Sequence, residues 1–316
     1  MKIVYWPHMA LAEPAITSKL KAVRDIELSI VRSIDDLKAA LVDADGLVAP
    51  DPHEEMEAEV GDALRSAASL KWLHVVTAGR EGFNLAKVPE RIVVTGPAGA
   101  HSPALAEHAF AFMLAFTRQI PLWAQITPTR KWERGRASAM SSVEGRTVAI
   151  VGLGYAGLEV AKRAKVFGMT VIAATRTPKE NPLVDEVYPL TSLKEVLARA
   201  DFIVITIAQT DETRGLIGAA EFAACKPTAY LVNVARGPII DQAALLDALQ
   251  TGKIAGAGID VTDPEPLPST DPLWGAPNII ISPHCGGGGS SASMARLAGR
   301  VIENLERLRA GTLKPT

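Results

Sequence analysis

One stretch of eleven residues, 147–157, constrains this chain more than any other. Residues 147–151 (TVAIV) have the character of a strand. They run directly into Gly152-Leu153-Gly154-Tyr155-Ala156-Gly157 and then into the helix-like LEVAKRAKVFG. The G-x-G-x-x-G spacing alone is a weak signal. Set between a strand and a helix, its glycines permit a tight turn, close approach of backbone N–H groups to a pyrophosphate, and close packing of helix on strand. The helix N-terminus adds partial positive charge. This context predicts a dinucleotide site on Gly152, Leu153, Gly154, Tyr155, Ala156 and Gly157, with a merely structural turn as the alternative.

The loop belongs to a longer alternation. Apolar runs recur at 147–152, 170–175, 202–208, 229–235, 254–260 and 278–283, with helical pieces such as 193–200 and 243–250 between them. Runs apolar on both faces suit central strands of a parallel sheet covered by helices. An earlier series stands at 3–6, 46–50, 70–76 and 91–96, with a helical stretch at 35–41. The turn-rich Gly96-Pro97-Ala98-Gly99 separates the two series. Ser102, followed by Pro103, is placed to cap a helix over 102–119. Between 110 and 116 that helix is apolar on nearly all sides, so one face is expected against another domain or subunit. A last helix over 290–310, packed back on the first series, makes the first domain discontinuous. The expected fold is α/β, with two Rossmann-like or flavodoxin-like lobes, parallel sheets and a cleft between them. Residues 1–98 plus 287–316 form the substrate-binding domain and 99–286 the dinucleotide-binding domain.

A site that prefers NAD carries an acidic residue about 20 positions beyond the loop, where it accepts hydrogen bonds from ribose hydroxyls. Here the second strand ends in Ala174-Thr175-Arg176-Thr177. No carboxylate repels a 2′-phosphate, and a guanidinium with two hydroxyls is placed to grip it. Thr175, Arg176 and Thr177 therefore predict NADP(H) in preference to NAD(H). The plainer reading of Arg176 is a solvated charge in a turn.

Three further strands lead into reactive side chains: Asn233-Val234-Ala235-Arg236-Gly237, Asp260-Val261-Thr262-Asp263-Pro264-Glu265-Pro266, and Ser282-Pro283-His284. Ligands bind at the C-terminal strand ends of a doubly wound sheet. Arg, Glu and His in such places suit one chemistry. A cation binds and polarises an α-keto acid, an imidazolium protonates its carbonyl oxygen as hydride arrives from a nicotinamide, and a carboxylate orients the imidazole. Separately, Arg236 reads as a salt-bridge partner, Glu265 as a turn cap and His284 as structural.

Together these segments resemble the D-isomer-specific 2-hydroxyacid dehydrogenases, over essentially the whole chain. GLGYAG at 152–157, DFIVITIAQTDETRGLIG at 201–218, VNVARG at 232–237, GAGIDVTDPEP at 256–266 and SPHCGG at 282–287 occur in the family's order and spacing. The resemblance implies Arg236 as substrate and carbonyl binder, Glu265 as partner of His284, and His284 as general acid/base. It implies Asp260 beside the nicotinamide carboxamide, and Ala208, Thr213, Val234 and Ala235 along the cofactor with Arg236 and His284. It further implies a two-fold dimer through the cofactor domain. The family's substrate-carboxylate loop falls on Thr77-Ala78-Gly79-Arg80, a small-residue stretch whose backbone N–H groups suit an anion nest. Two residues depart from the pattern. Arg80 stands where the family more often has an apolar residue, and it either adds a second carboxylate clamp or points to solvent. Ala208 replaces the usual Pro.

Composition narrows the function classes. Lys and Arg total 33 against 35 for Asp and Glu, a formal charge of -2, so no basic surplus calls for nucleic acid or anionic lipid. The longest lipid-like run, AFAFMLAF at 109–116, is far short of the roughly 20 residues of a membrane span. The N-terminus reads as a first strand rather than a secretion signal. Cys225 and Cys285 match no disulfide framework or metal spacing, so a reducing, cytoplasmic setting and no metal are expected. His101 and His108 read as packing or interface residues, His8, His53 and His74 have no stronger claim, and Cys285 reads as a pocket wall.

The expected function is an NADPH-preferring reductase of small 2-keto acids, glyoxylate and hydroxypyruvate first. The competing readings are a formate dehydrogenase, disfavoured because that group carries Gln where Glu265 stands, a phosphite-type dehydrogenase, and a non-catalytic dinucleotide-sensing protein of the corepressor kind.

Overall fold

The computed structural model describes residues 1–7, 13–288 and 290–315, so His8 lies outside the described residues. The chain divides into two compact units, Met1–His101 with Gly288–Thr316, and Ser102–Gly287.

The first unit is built on five parallel strands: β1 (Lys2–Tyr5), β2 (Glu27–Ile30), β3 (Gly46–Ala49), β4 (Trp72–Val75) and β5 (Val93–Thr95). Their order is β2-β1-β3-β4-β5, the flavodoxin-like arrangement. β3 and β4 are buried along their whole length, because helices cover both faces. β2 escapes a search for apolar runs. Its ELSI sequence lies at the sheet edge and none of its residues is fully buried. The C-terminal helix Ser291–Arg309 joins this unit, with Ser290 Oγ accepting from the Ser293 N–H as its cap. Leu297, Ala298, Val301 and Leu305, spaced for one helical face, are buried with Ile3, Tyr5, Ile16 and Leu20.

The second unit holds seven parallel strands: β6 (Thr147–Val151), β7 (Thr170–Thr175), β8 (Glu186–Pro189), β9 (Phe202–Ile205), β10 (Tyr230–Asn233), β11 (Gly256–Ile259) and β12 (Ile279–Ile281). The order is β12-β11-β10-β9-β6-β7-β8. Counted from β6 as strand one, this is the Rossmann order 3-2-1-4-5-6 with a seventh strand added. The direction of winding reverses between β6 and β9, and the glycine-rich loop leaves β6 at that point. β8, like β2, is a half-exposed edge strand that shows no apolar run.

Helix Ser102–Thr117 begins at Ser102 itself, so Ser102 is its first residue rather than the cap before it. Its apolar surround has a cause inside its own unit. Ala106, Ala109, Phe110, Phe112, Met113 and Phe116 pack into one core with Val148, Ile150 and Val160. The stretch that follows is different. Helix Ile120–Ile126 and the short turns Thr127–Thr129 and Arg134–Ala139 bury no residue, and Trp132 is 94% exposed. Among the described residues, no helix is long and apolar enough to cross a membrane.

Candidate active site

The glycine loop shows which of its positions serve the fold and which face outward. Gly152 has φ +99°, and a Cβ there would lie 2.5 Å from the Ile207 Cα. A Cβ on Gly157 would lie 2.2 Å from the Gly152 carbonyl oxygen, so helix Tyr155–Val166 sits this close to the strand only with glycine there. Gly154 is the opposite case, because its Cβ direction meets nothing within 4 Å. Gly154 precedes the helix, and no side chain caps that helix end. Leu153 and Ala156 are half-buried beside it, and Tyr155 is exposed. An open, uncapped helix N-terminus with space over its central glycine fits a pyrophosphate. Thr206 Oγ1, which no motif singles out, donates to the Gly152 carbonyl at 2.6 Å and holds the turn.

At the end of β7, Thr175 is half-buried while Arg176 and Thr177 are exposed. Arg176 forms no ion pair among the described residues. Beyond β9, Ala208 is exposed, whereas Thr213 is buried. The Thr213 hydroxyl donates to the Ala208 carbonyl at 2.8 Å and accepts from the Thr210 N–H at 2.7 Å, so it shapes the loop from within.

The ends of β10, β11 and β12 assemble the acid–base groups. Asn233 accepts from the Ala235 N–H at 3.0 Å and donates to the Arg236 carbonyl at 3.0 Å, which folds Val234 and Ala235 inward and leaves Arg236 half-buried. Gly237 then passes so close to the β11 loop that a Cβ would lie 1.9 Å from the Thr262 oxygen. In that loop Glu265 Oε1 accepts from the Thr262 N–H at 3.0 Å, and Glu265 Oε2 lies 2.8 Å from His284 Nδ1. The Glu265 hydrogen bond raises the His284 pKa against the opposing effect of burial. Burial would raise the Glu265 pKa, but hydrogen bonds from His284 and the Thr262 N–H outweigh it and lower it.

His284 has φ +50°, in the left-handed region. One residue grips the loop on both sides of it. The Asp260 carbonyl accepts from the His284 N–H at 2.7 Å, and the Asp260 carboxylate accepts from the Ser282 hydroxyl at 2.6 Å, the Cys285 N–H at 2.9 Å and the Gly286 N–H at 2.8 Å. His108 Nε2 lies 3.4 Å from the same carboxylate. Burial works against this charge, yet these donors hold the Asp260 pKa down at about 2. Asp260, expected beside the nicotinamide, is only 2% exposed and spends both oxygens inside the protein. His108, Asp260 and Cys285 bring ligand atoms within 4.8 Å of one another, and hydrogen bonds already occupy the Asp260 oxygens. Burial and the Asp260 charge push the Cys285 thiol up, away from a reactive thiolate.

In the first unit, the loop after β4 is organised by two residues. Thr77 Oγ1 donates to the Gly79 carbonyl at 2.8 Å and accepts from the Asp51 N–H at 3.0 Å. The Asp51 carboxylate accepts from the Gly82 and Phe83 N–H groups, both at 2.9 Å, fixing the helix that follows. Ala78 and Arg80 are exposed. Asp51 was not legible as a site residue, because its partners lie about thirty positions downstream.

A Rossmann-ordered parallel sheet with an open glycine loop at its switch point defines a dinucleotide-binding α/β protein. Comparison with known proteins agrees. Residues 110–286 match the NAD binding domain of the D-isomer specific 2-hydroxyacid dehydrogenases. A glyoxylate reductase of Korarchaeum cryptofilum is 35% identical over 282 residues, 86% of this chain and 82% of that one. A D-3-phosphoglycerate dehydrogenase of Archaeoglobus fulgidus is 32% identical over 275 residues, covering 87% of this chain but 51% of its own, so the chain spans about half the length of that relative. The crystal structure of an NADPH-dependent glyoxylate/hydroxypyruvate reductase of Sinorhizobium meliloti, in complex with NADP and malonate, superposes with a TM-score of 0.79 at 28% identity, covering 98% of this chain and 94% of that one. The chain belongs to the D-isomer specific 2-hydroxyacid dehydrogenase family, and with it to the NAD(P)-dependent oxidoreductases of 2-hydroxy and 2-keto acids.

Proposed function

We propose that this enzyme reduces small 2-keto acids, glyoxylate and hydroxypyruvate first, to the 2-hydroxy acids of D configuration, with NADPH preferred over NADH. The observation that carries the reading is the 2.8 Å contact between His284 and Glu265. Nδ1 donates to the carboxylate, which fixes the tautomer and leaves Nε2 as the proton-transferring nitrogen. The bound nicotinamide supplies the hydride. Arg236 grips the substrate carboxylate and polarises the ketone, and His284 protonates its oxygen as negative charge develops there. Asp260 holds the loop that carries His284, and Ala208, Thr213, Val234 and Ala235 shape the walls of the dinucleotide site.

NADPH preference rests on Arg176, exposed and without an ion-pair partner among the described residues, flanked by Thr175 and Thr177 where an NAD site carries an acid. The Sinorhizobium meliloti reductase with bound NADP supports it by likeness. A homodimer belongs to the same reading. The stretch 120–139 buries nothing, and it exposes Ile120 and Trp132, so a second copy is its natural cover. A cytoplasmic setting belongs to the same reading, because two cysteines that match no framework spacing suit a reducing compartment.

A steady-state panel of glyoxylate, hydroxypyruvate, pyruvate and bulkier keto acids, run with NADPH and NADH, tests the proposal. 3-Phosphoglycerate with NAD⁺ belongs in the panel because of the phosphoglycerate dehydrogenase relatives. Turnover confined to 3-phosphoglycerate, or none at all despite tight NADPH binding, overturns it. Sedimentation velocity tests the dimer.

A further inference from the structure

The imidazole of His108 enters none of the chemistry above, yet it touches the group that holds His284. It projects from helix Ser102–Thr117, is half-buried, and stands edge-on to Phe112 with ring centroids 4.7 Å apart. Its Nε2 lies 2.8 Å from Ser282 Oγ. Ser282 has one hydroxyl proton, which goes to Asp260 at 2.6 Å, so the proton on the His108 contact belongs to Nε2. His108 therefore donates to Ser282, Ser282 donates to Asp260, and Asp260 takes the N–H groups of Cys285 and Gly286. Between these anchors stands His284 at φ +50°, a backbone state that a non-glycine residue keeps only when its surroundings impose it. The fit is tight, since a Cβ on Gly286 would lie 3.0 Å from His108 Cδ2.

We infer that His108 is a positioning residue for His284, fixing through Ser282 and Asp260 the strained loop that aims the imidazole at its substrate. The inference rests on the reading of His284 as the general acid. Misplacing a reacting group by about 1 Å costs on the order of 10²-fold in rate. Loss of one anchor of several should cost less, so the expected loss in kcat for His108→Leu is about 10-fold. The KM for glyoxylate and the Kd for NADPH should stay within about twofold, because a residue that acts only through the loop carrying His284 has no binding role of its own. His108→Gln, which restores an N–H donor, should recover most of the kcat. Ser282→Ala cuts the same link from its other side and serves if His108→Leu does not fold. The double variant should be no slower than the slower single one, since both act through one contact.

The measurement is kcat, KM and NADPH Kd for the four variants of the whole chain, with melting temperatures. A kcat within twofold of the parent for both His108→Leu and Ser282→Ala overturns the inference. So does an equal loss in His108→Leu and His108→Gln, or a weakening of NADPH binding by the same factor as kcat. His284→Ala is the separate control: if it keeps full activity, the reading of His284 fails, whatever His108 does.

Discussion

His284 Nδ1 and Glu265 Oε2 lie 2.8 Å apart, and the pairing raises the pKa of the imidazole while lowering that of the carboxylate. Reduction needs the imidazolium, so the pairing extends the acid form toward neutral pH. Glu265→Gln removes the charge that supports it. The pH above which kcat/KM for glyoxylate reduction declines should move downward. His284→Ala should lower kcat by about 10² to 10⁴. An unmoved profile in Glu265→Gln rules out the pair as the acid–base unit.

Arg236 presents a planar fork where two tasks coincide, binding a carboxylate and meeting charge on the ketone oxygen. Lysine keeps the charge and loses the fork. Arg236→Lys should raise the KM for glyoxylate and lower kcat together, each by roughly tenfold or more. An effect limited to the KM for NADPH contradicts the assignment.

Two glycines three positions apart should respond in opposite ways to one methyl group. Gly154→Ala meets open space at an ordinary φ of -87°, so its melting temperature should match the parent while NADPH binding weakens by about tenfold or more. Gly157→Ala forces a Cβ to 2.2 Å from a carbonyl oxygen and should lose the fold of that region. Thermal melts and NADPH titration distinguish them. Tight NADPH binding by Gly154→Ala removes the pyrophosphate from this turn.

Charge-assisted hydrogen bonds contribute roughly 1.5 to 3 kcal/mol, so a 2′-phosphate held by Arg176 should favour NADPH by about tenfold or more. Arg176→Ala should raise the KM for NADPH with little change for NADH, and Thr175→Asp with Arg176→Ala should reverse the preference. A parent enzyme that uses NADH equally well overturns this pocket and leaves the fold untouched.

His74 is fully buried in β4, and burial lowers its pKa to about 3. Its Nδ1 lies 2.9 Å from Thr95 Oγ1, which also accepts from Trp72 Nε1 at 2.8 Å, and 3.4 Å from Asn304 Nδ2 on the C-terminal helix. Unfolded, this histidine titrates near 6.5. The folded state keeps it neutral, so no stability is lost above that pH. Stability then falls as pH drops from about 6.5 toward 3, by up to about 1.4 kcal/mol per unit. In urea melts between pH 7.5 and 4.5, His74→Gln should show a smaller decline with falling pH than the parent. An identical slope assigns the acid sensitivity to other groups.

The sheet interiors and the chemistry at their ends were legible in the residue pattern alone. The run Thr147 to Gly157 carries strand, turn and helix signals within eleven contiguous residues, and Arg236, Glu265 and His284 each follow an apolar run that burial on both faces demands. Edge strands β2 and β8 were not legible because half-exposed positions impose no apolar pattern. The sequence also could not say what covers the apolar helix Ser102–Thr117, since periodicity reports that a face is buried and not against what. Only the tertiary structure brought His108 to Ser282 across 174 positions and Ser282 to Asp260 across 22, and only it seated Asn304 against His74 across 230. Hydrogen bonds of this kind leave no local signature. They depend on the distance and angle between side chains that the packed sheet and helices set, and a one-dimensional pattern carries neither.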